Sequence, residues 1–157
     1  MSLELYEKNS WIRKEKTSKE EIAGLLGIVD VRINDASSAS ISDDSRAGLA
    51  FNAALSAATV ALRASGYRTV GQAHHARTLE CLEYTLGYDA KKIQQLKSLA
   101  KKRNNAFYDA PGNVTKQDLQ LAMTLATELR GDVKTWLQKE HPELDLTGIF
   151  CTRWYAS

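Results

Sequence analysis

DDSRAGLAFNAALSAATVALRAS, residues 43–65, decides how the rest of the chain folds. At 3.6 residues per turn it is apolar on two faces, with Leu49, Ala53, Ala57 and Val60 on one and Phe51, Leu55, Ala58 and Leu62 on the other. A helix apolar nearly all round is either the centre of a bundle or the face that meets a second subunit. Asp43, Asp44 and Ser45 suit its first turn, and Gly66 suits its C-terminal cap. Its many alanines let neighbouring backbones approach closely.

The flanking segments have the same 3.6-residue period. Before it, Thr17 and Ser18, with Glu21 in a capping-box position, open a helix carrying Ile22, Leu25, Leu26, Val29, Ile33 and Ala36 on one stripe, ended by the run Ser37–Ser45. After it, the pattern predicts a helix from about Val70 to Leu86, with His75, Leu79, Leu82 and Leu86 inward, His74 to the side and Gly87 as its stop. Asp89 opens a fourth helix. Thr115 with Asp118 caps a fifth, carrying Leu119, Ala122, Met123, Ala126, Leu129, Val133 and Leu137 inward and ending near Pro142. The first 17 residues read as a short helix packed on the outside. With only two prolines and almost no alternating apolar and polar runs, the expectation is all-α: an up-and-down bundle of about five helices. The 157 residues make one domain, residues 1–157, with a core at about 18–140 and an apolar tail, 141–157, packed on the bundle or a partner.

Composition excludes several classes. A hydrophobic fraction of 43% and a charged fraction of 25% are those of an ordinary globular protein, and a formal charge of +2 selects no partner. Cys81 and Cys151 fit no metal or redox spacing and read as reduced thiols. The sequence shows no membrane-spanning stretch and no signal-peptide core, which makes the cytoplasm the expected location. Nothing calls for a cofactor or a metal: there is no Gly-rich phosphate loop and no Glu-x-x-His pair, and adjacent His74 and His75 point about 100° apart on a helix.

The chemistry concentrates in the fourth helix, KKIQQLKSLAKKRNNAFYD, residues 91–109. Ile93, Leu96, Leu99, Ala100 and Phe107 share a face, Arg103 falls among them, and Asn104 and Tyr108 border it. Removing a guanidinium from water without a partner costs several kcal/mol, so Arg103 marks either a buried ion pair, with Asp118, Glu128 or an acid of the central helix, or the floor of a site. Lys91, Lys92, Lys97, Lys101 and Lys102 join it, and no acid occurs between Ala90 and Tyr108. An anion is the expected ligand, with Lys97, Lys101 and Lys102 as candidate nucleic-acid contacts, although a solvated helix face would also carry lysines. Reading Val70–Asn105 as helix–turn–helix fits poorly, because these lysines scatter around the wheel.

From about Arg46 to Glu140 the chain resembles the HEPN domain, a small helical bundle of prokaryotic toxin–antitoxin and defence systems. The resemblance is carried by Phe51-Asn-Ala-Ala-Leu55, Leu62-Arg-Ala-Ser-Gly-Tyr-Arg68, Gly71-Gln-Ala-His-His75 and Arg103-Asn-Asn-Ala-Phe-Tyr-Asp109. The last is similar to the Arg-x-x-x-x-His motif of the nuclease members, with Tyr108 where their histidine stands. The resemblance implies a homodimer that binds RNA and cleaves it without a metal, with one Arg103 from each subunit at a shared cleft. It equally implies a second class: a non-catalytic module that pairs with a nucleotidyltransferase-type partner protein or binds a nucleotide.

Metal-free RNA cleavage requires a base for the 2′-hydroxyl, an acid for the leaving oxygen and a cation on the phosphate. Arg103 fits the last role through its planar, permanently charged fork, and Asn104 could orient the ribose or Arg103. The phenol of Tyr108, with an ordinary pKa of about 10, is a poor base at neutral pH. His75 is therefore the candidate base, against the alternative of a hydrogen-bonded core histidine.

Overall fold

In a computed structural model, which describes residues 2–108 and 114–145 except for the side chains of 104–108, the chain is an all-helical bundle built around the alanine-rich helix. The elements are α1 (Leu3–Lys8), β1 (Ile12–Lys14), α2 (Lys19–Ala36), α3 (Asp43–Ala64), β2 (Tyr67–Thr69), α4 (His74–Glu80), α5 (Leu82–Thr85), α6 (Ala90–Tyr108) and α7 (Lys116–Glu140), with a 3-10 turn at Pro142–Leu144. α3 packs against α2, α4, α5, α6 and α7. Ala50, Ala53, Ala57, Val60 and Ala61 are fully buried, and Phe51, Ala58 and Leu62 nearly so. Both apolar faces of α3 are thus covered within one chain, as the centre-of-bundle reading requires. Although α3 is long and apolar enough to match a membrane's thickness, most of it is buried against the other helices.

Local chemistry sets the helix ends. The Ser18 hydroxyl accepts from the Glu21 amide, the Asp89 carboxylate accepts from the Lys92 amide at 2.8 Å, and Thr115 and Asp118 complete a reciprocal capping box. Gly66 follows α3 with φ +91°, a conformation that favours glycine. Ile22, Leu26, Val29 and Ile33 of α2 and Ala122, Ala126, Leu129, Val133 and Leu137 of α7 form the main core with α3, joined by Ile93, Leu96 and Leu99 of α6.

Two expectations are corrected. The N-terminal segment is more than a helix on the outside. After α1, β1 pairs antiparallel with β2, with Ile12 opposite Thr69 and Lys14 opposite Tyr67, and a second small core of Tyr6, Ile12, Leu62, Tyr67 and Cys81 forms beneath them. The helix expected over Val70–Leu86 begins only at His74 and breaks at Cys81. Val70 instead continues the strand pairing, its amide donating to the Trp11 carbonyl, and Gly71 (φ +78°) and Ala73 (φ +61°) turn the chain before α4 can start. Cys81 is a buried free thiol, while Cys151 and most of the apolar tail, residues 146–157, lie outside the described residues.

Candidate functional site

α6 leaves the core as it approaches Arg103. Leu96 and Leu99 are buried, Ala100 partly so, and Arg103 half-buried at the bundle's edge. Its Nη1 donates to Oδ1 of Asn52, and the guanidinium lies 5.0 Å from the centroid of the Phe51 ring. Both of these partners come from α3, so the central helix positions the arginine with a neutral amide and an aromatic face. Two of the acids expected to pair with it are engaged by lysines. Asp118 meets Lys102 at 2.8 Å, a bond that holds its carboxyl below the usual range, and Glu128 meets Lys92 at 3.3 Å.

Cavities open on both sides of Arg103, and their charges differ. On one side about 200 Å³ is lined by Lys102 and Arg103 but also by Asp44 and Asp118. On the other side about 310 Å³ is lined by His74, His75, Lys97 and Arg103, with Phe51 and Ala100 also in the wall and no carboxylate among the described lining residues. Electrostatics favours an anion in the second cavity. Glu80 pairs with the cavity's Lys97 at 3.7 Å and also accepts from Arg77 at 3.3 Å.

His75 reaches this cavity because α4 starts late. Expected on the inward stripe above Leu79, it lies instead on the exposed first turn, and Leu79 is fully buried below it. That position removes the core-histidine alternative. Its ring meets that of His74 edge-on, centroids 4.1 Å apart. Desolvation against the cavity wall lowers the His75 pKa below the ordinary imidazole value, and the nearby charges of His74 and Arg103 push in the same direction. The neutral, proton-accepting form is thereby favoured.

Of the lysines singled out in the sequence, Lys97 shares this cavity, Lys102 lies toward Asp118 on the far side of α6, and Lys101 is exposed and lines neither cavity. Asn104 and Tyr108 are within α6, but their side chains lie outside the described residues. Among the described residues no group of three or more His, Cys, Asp or Glu side chains could hold a metal ion.

The arginine that is truly buried is another one. Arg63, 5% exposed, pairs through Nε with Glu21 at 2.5 Å and through Nη2 with Glu15 at 3.5 Å. It also donates to the carbonyls of Glu15 at 3.1 Å, Lys16 at 3.0 Å and Tyr67 at 3.2 Å. Its bond is the principal reason the Glu21 carboxyl is held below the usual carboxylate range. The sequence carried the signal: a helix apolar on two faces leaves an arginine near its end little open surface.

Comparison with protein-family models, with curated proteins and with solved structures found no match to the chain.

Proposed function

We propose that the cavity between α4 and α6 binds a phosphodiester of single-stranded RNA and that the protein is a metal-independent endoribonuclease of HEPN type, acting in the cytoplasm as a homodimer. One observation carries the reading: Arg103 and His75, from different helices, line one cavity that has no carboxylate among its described lining residues and whose histidine favours its neutral form. The Arg103 fork would hold the non-bridging phosphate oxygens. Neutral His75 would take the proton of the 2′-hydroxyl, the 2′-oxygen would bond to phosphorus, and the 5′-oxygen would leave with a proton from water, giving a 2′,3′-cyclic phosphate. A positioned general base is worth about 10²–10⁴-fold, and Arg103 would neutralise the charge that grows on the phosphate.

The test is incubation with single-stranded RNA in EDTA. Cleavage to cyclic-phosphate ends, abolished by His75→Ala and by Arg103→Ala, is the expected result. The second reading, a binding module paired with a nucleotidyltransferase-type protein or holding a nucleotide, is favoured by Tyr108 standing where the resembling motif has its histidine. RNA bound through Arg103 but left intact would select that reading, and no RNA binding would refute the nuclease. The dimer rests on the resemblance, since α3 has no uncovered apolar face to offer; light scattering that gave a monomer at micromolar concentration would remove it.

A further inference from the structure

The cavity that holds Arg103 does not end at the histidines. His74 and His75 also line a neighbouring cavity of about 450 Å³, whose far wall is Arg68 and whose floor includes Thr59 and Leu62 of α3. The two cavities form one groove along α3, from Phe51 to Leu62, a distance of about 17 Å at 1.5 Å per residue. Arg63, Arg68, His74, His75, Lys97 and Arg103 line it, and among the described residues neither cavity has an acid in its lining.

The far end has a surplus of positive charge. Glu15 is the carboxylate in reach of Arg68, at 3.1 Å, but the same group also meets Arg13 at 3.1 Å and Arg63 at 3.5 Å. Arg63 is consumed by Glu15, Glu21 and three backbone carbonyls, whereas the Arg68 side chain is 50% exposed. Beside it, the Thr59 hydroxyl gives its own proton to the Leu55 carbonyl at 2.8 Å, so its oxygen faces the groove as an acceptor.

We propose that this second cavity is a subsite for an adjoining nucleotide, in which Arg68 holds a phosphate of the strand. The ligand of the groove is then a strand of single-stranded RNA and not a mononucleotide, which deepens the reading given above and rests on it. A positive groove that tracks a backbone is the general means of holding single strands without base readout.

The experiment measures binding of an uncleavable 2′-O-methyl ten-nucleotide RNA and of uridine 3′-phosphate, to the wild type and to Arg68→Gln, Arg68→Lys and Arg103→Ala. The Arg68 side chain is half-exposed on the outer face of β2, opposite Arg13, so its substitution leaves the core intact. Arg68→Gln should weaken the strand about fivefold and reduce the slope of log affinity against log salt by about 0.7, the share of one phosphate contact on a single strand. It should leave the mononucleotide unchanged, and Arg68→Lys should retain most of the strand affinity. If Arg103→Ala abolishes strand binding while Arg68→Gln changes neither ligand, or weakens both equally, the subsite is refuted and the Arg103 site stands. If Arg103→Ala leaves strand binding intact, the Arg103 site itself is refuted and the subsite with it.

Discussion

Replacing Arg63 by methionine isolates the role of the one guanidinium buried among the described residues, because methionine keeps the apolar stem and removes every donor. The carboxylates of Glu21 and Glu15 are 41% and 34% exposed and can turn to water, so their loss of a partner is mild. The carbonyls of Glu15, Lys16 and Tyr67 are fixed in the backbone and each loses a donor, at about 1 kcal/mol apiece. With the lost ion pairing the total comes to about 3–4 kcal/mol, within the range for breaking a buried pair. For a domain of this size that lowers Tm by about 10 °C. Arg103→Ala, by contrast, removes a half-buried group at the edge of the core and should lower Tm by less than Arg63→Met does. Thermal melts by circular dichroism, with urea unfolding as a second measure, separate the two. Acid adds a further check on the same pair. The Glu21 carboxyl has its pKa depressed in the folded state, so its contribution is present above the ordinary glutamate pKa and lost as pH falls through the depressed value. Arg63→Met lacks that contribution at every pH, and its deficit relative to the wild type should therefore narrow in acid. A wild-type melt for Arg63→Met, or a larger loss for Arg103→Ala, would refute the assignment of Arg63 as the structural cation.

Three other outcomes follow from the packing and the electrostatics. His75 should titrate, by NMR of its ring, below the ordinary imidazole value, and Arg103→Gln should move the midpoint upward; an unmoved midpoint would mean that the two groups do not share a cavity. Tyr88, whose hydroxyl donates to Asp132 at 2.6 Å, should lose about 1–1.5 kcal/mol of stability on change to phenylalanine, measured by urea unfolding, because exposed Asp132 can be rehydrated. Ala57→Leu should destabilise by about 2–3 kcal/mol, since Ala57 is fully buried in the helix that all the other core helices touch, and an unchanged urea midpoint would mean that the contact is not close-packed.

What the sequence made legible is what neighbouring residues decide among themselves. Ser18 with Glu21, Thr115 with Asp118, Asp89 and Gly66 mark helix ends through bonds that span a turn or less, and each end falls where its signal stands. The strand pair escaped because each strand has only three residues and its partner lies more than fifty positions away, so no alternation could develop and the pairing is set by tertiary contact. The helix expected from Val70 failed for a related reason. Val70 has a good helical pattern after it, but the Trp11 carbonyl recruits its amide into the strand pair, and a turn through Gly71 and Ala73 must then come first.

The same distinction explains why a helical wheel points to Arg103 and not to Arg63 as the buried arginine. A wheel ranks a residue by its stripe, and it sets Arg103 among leucines; it cannot register that the side chain stands only half-buried beside Asn52 and Phe51 of α3. Arg63 is satisfied by a convergence from three separate elements, Glu21 on α2, the chain segment at Glu15–Lys16 and the β2 carbonyl of Tyr67, none of which lies within a helical turn of it except Tyr67. Buried charge is a long-range property and hydrophobic period a local one. The candidate site inherits this split: Arg103 and His75 can be named from their chemistry alone, whereas their meeting depends on the delayed start of α4, which is fixed by the pairing of β1 with β2. A variant that weakens that pairing should therefore disturb the site without touching any residue in it.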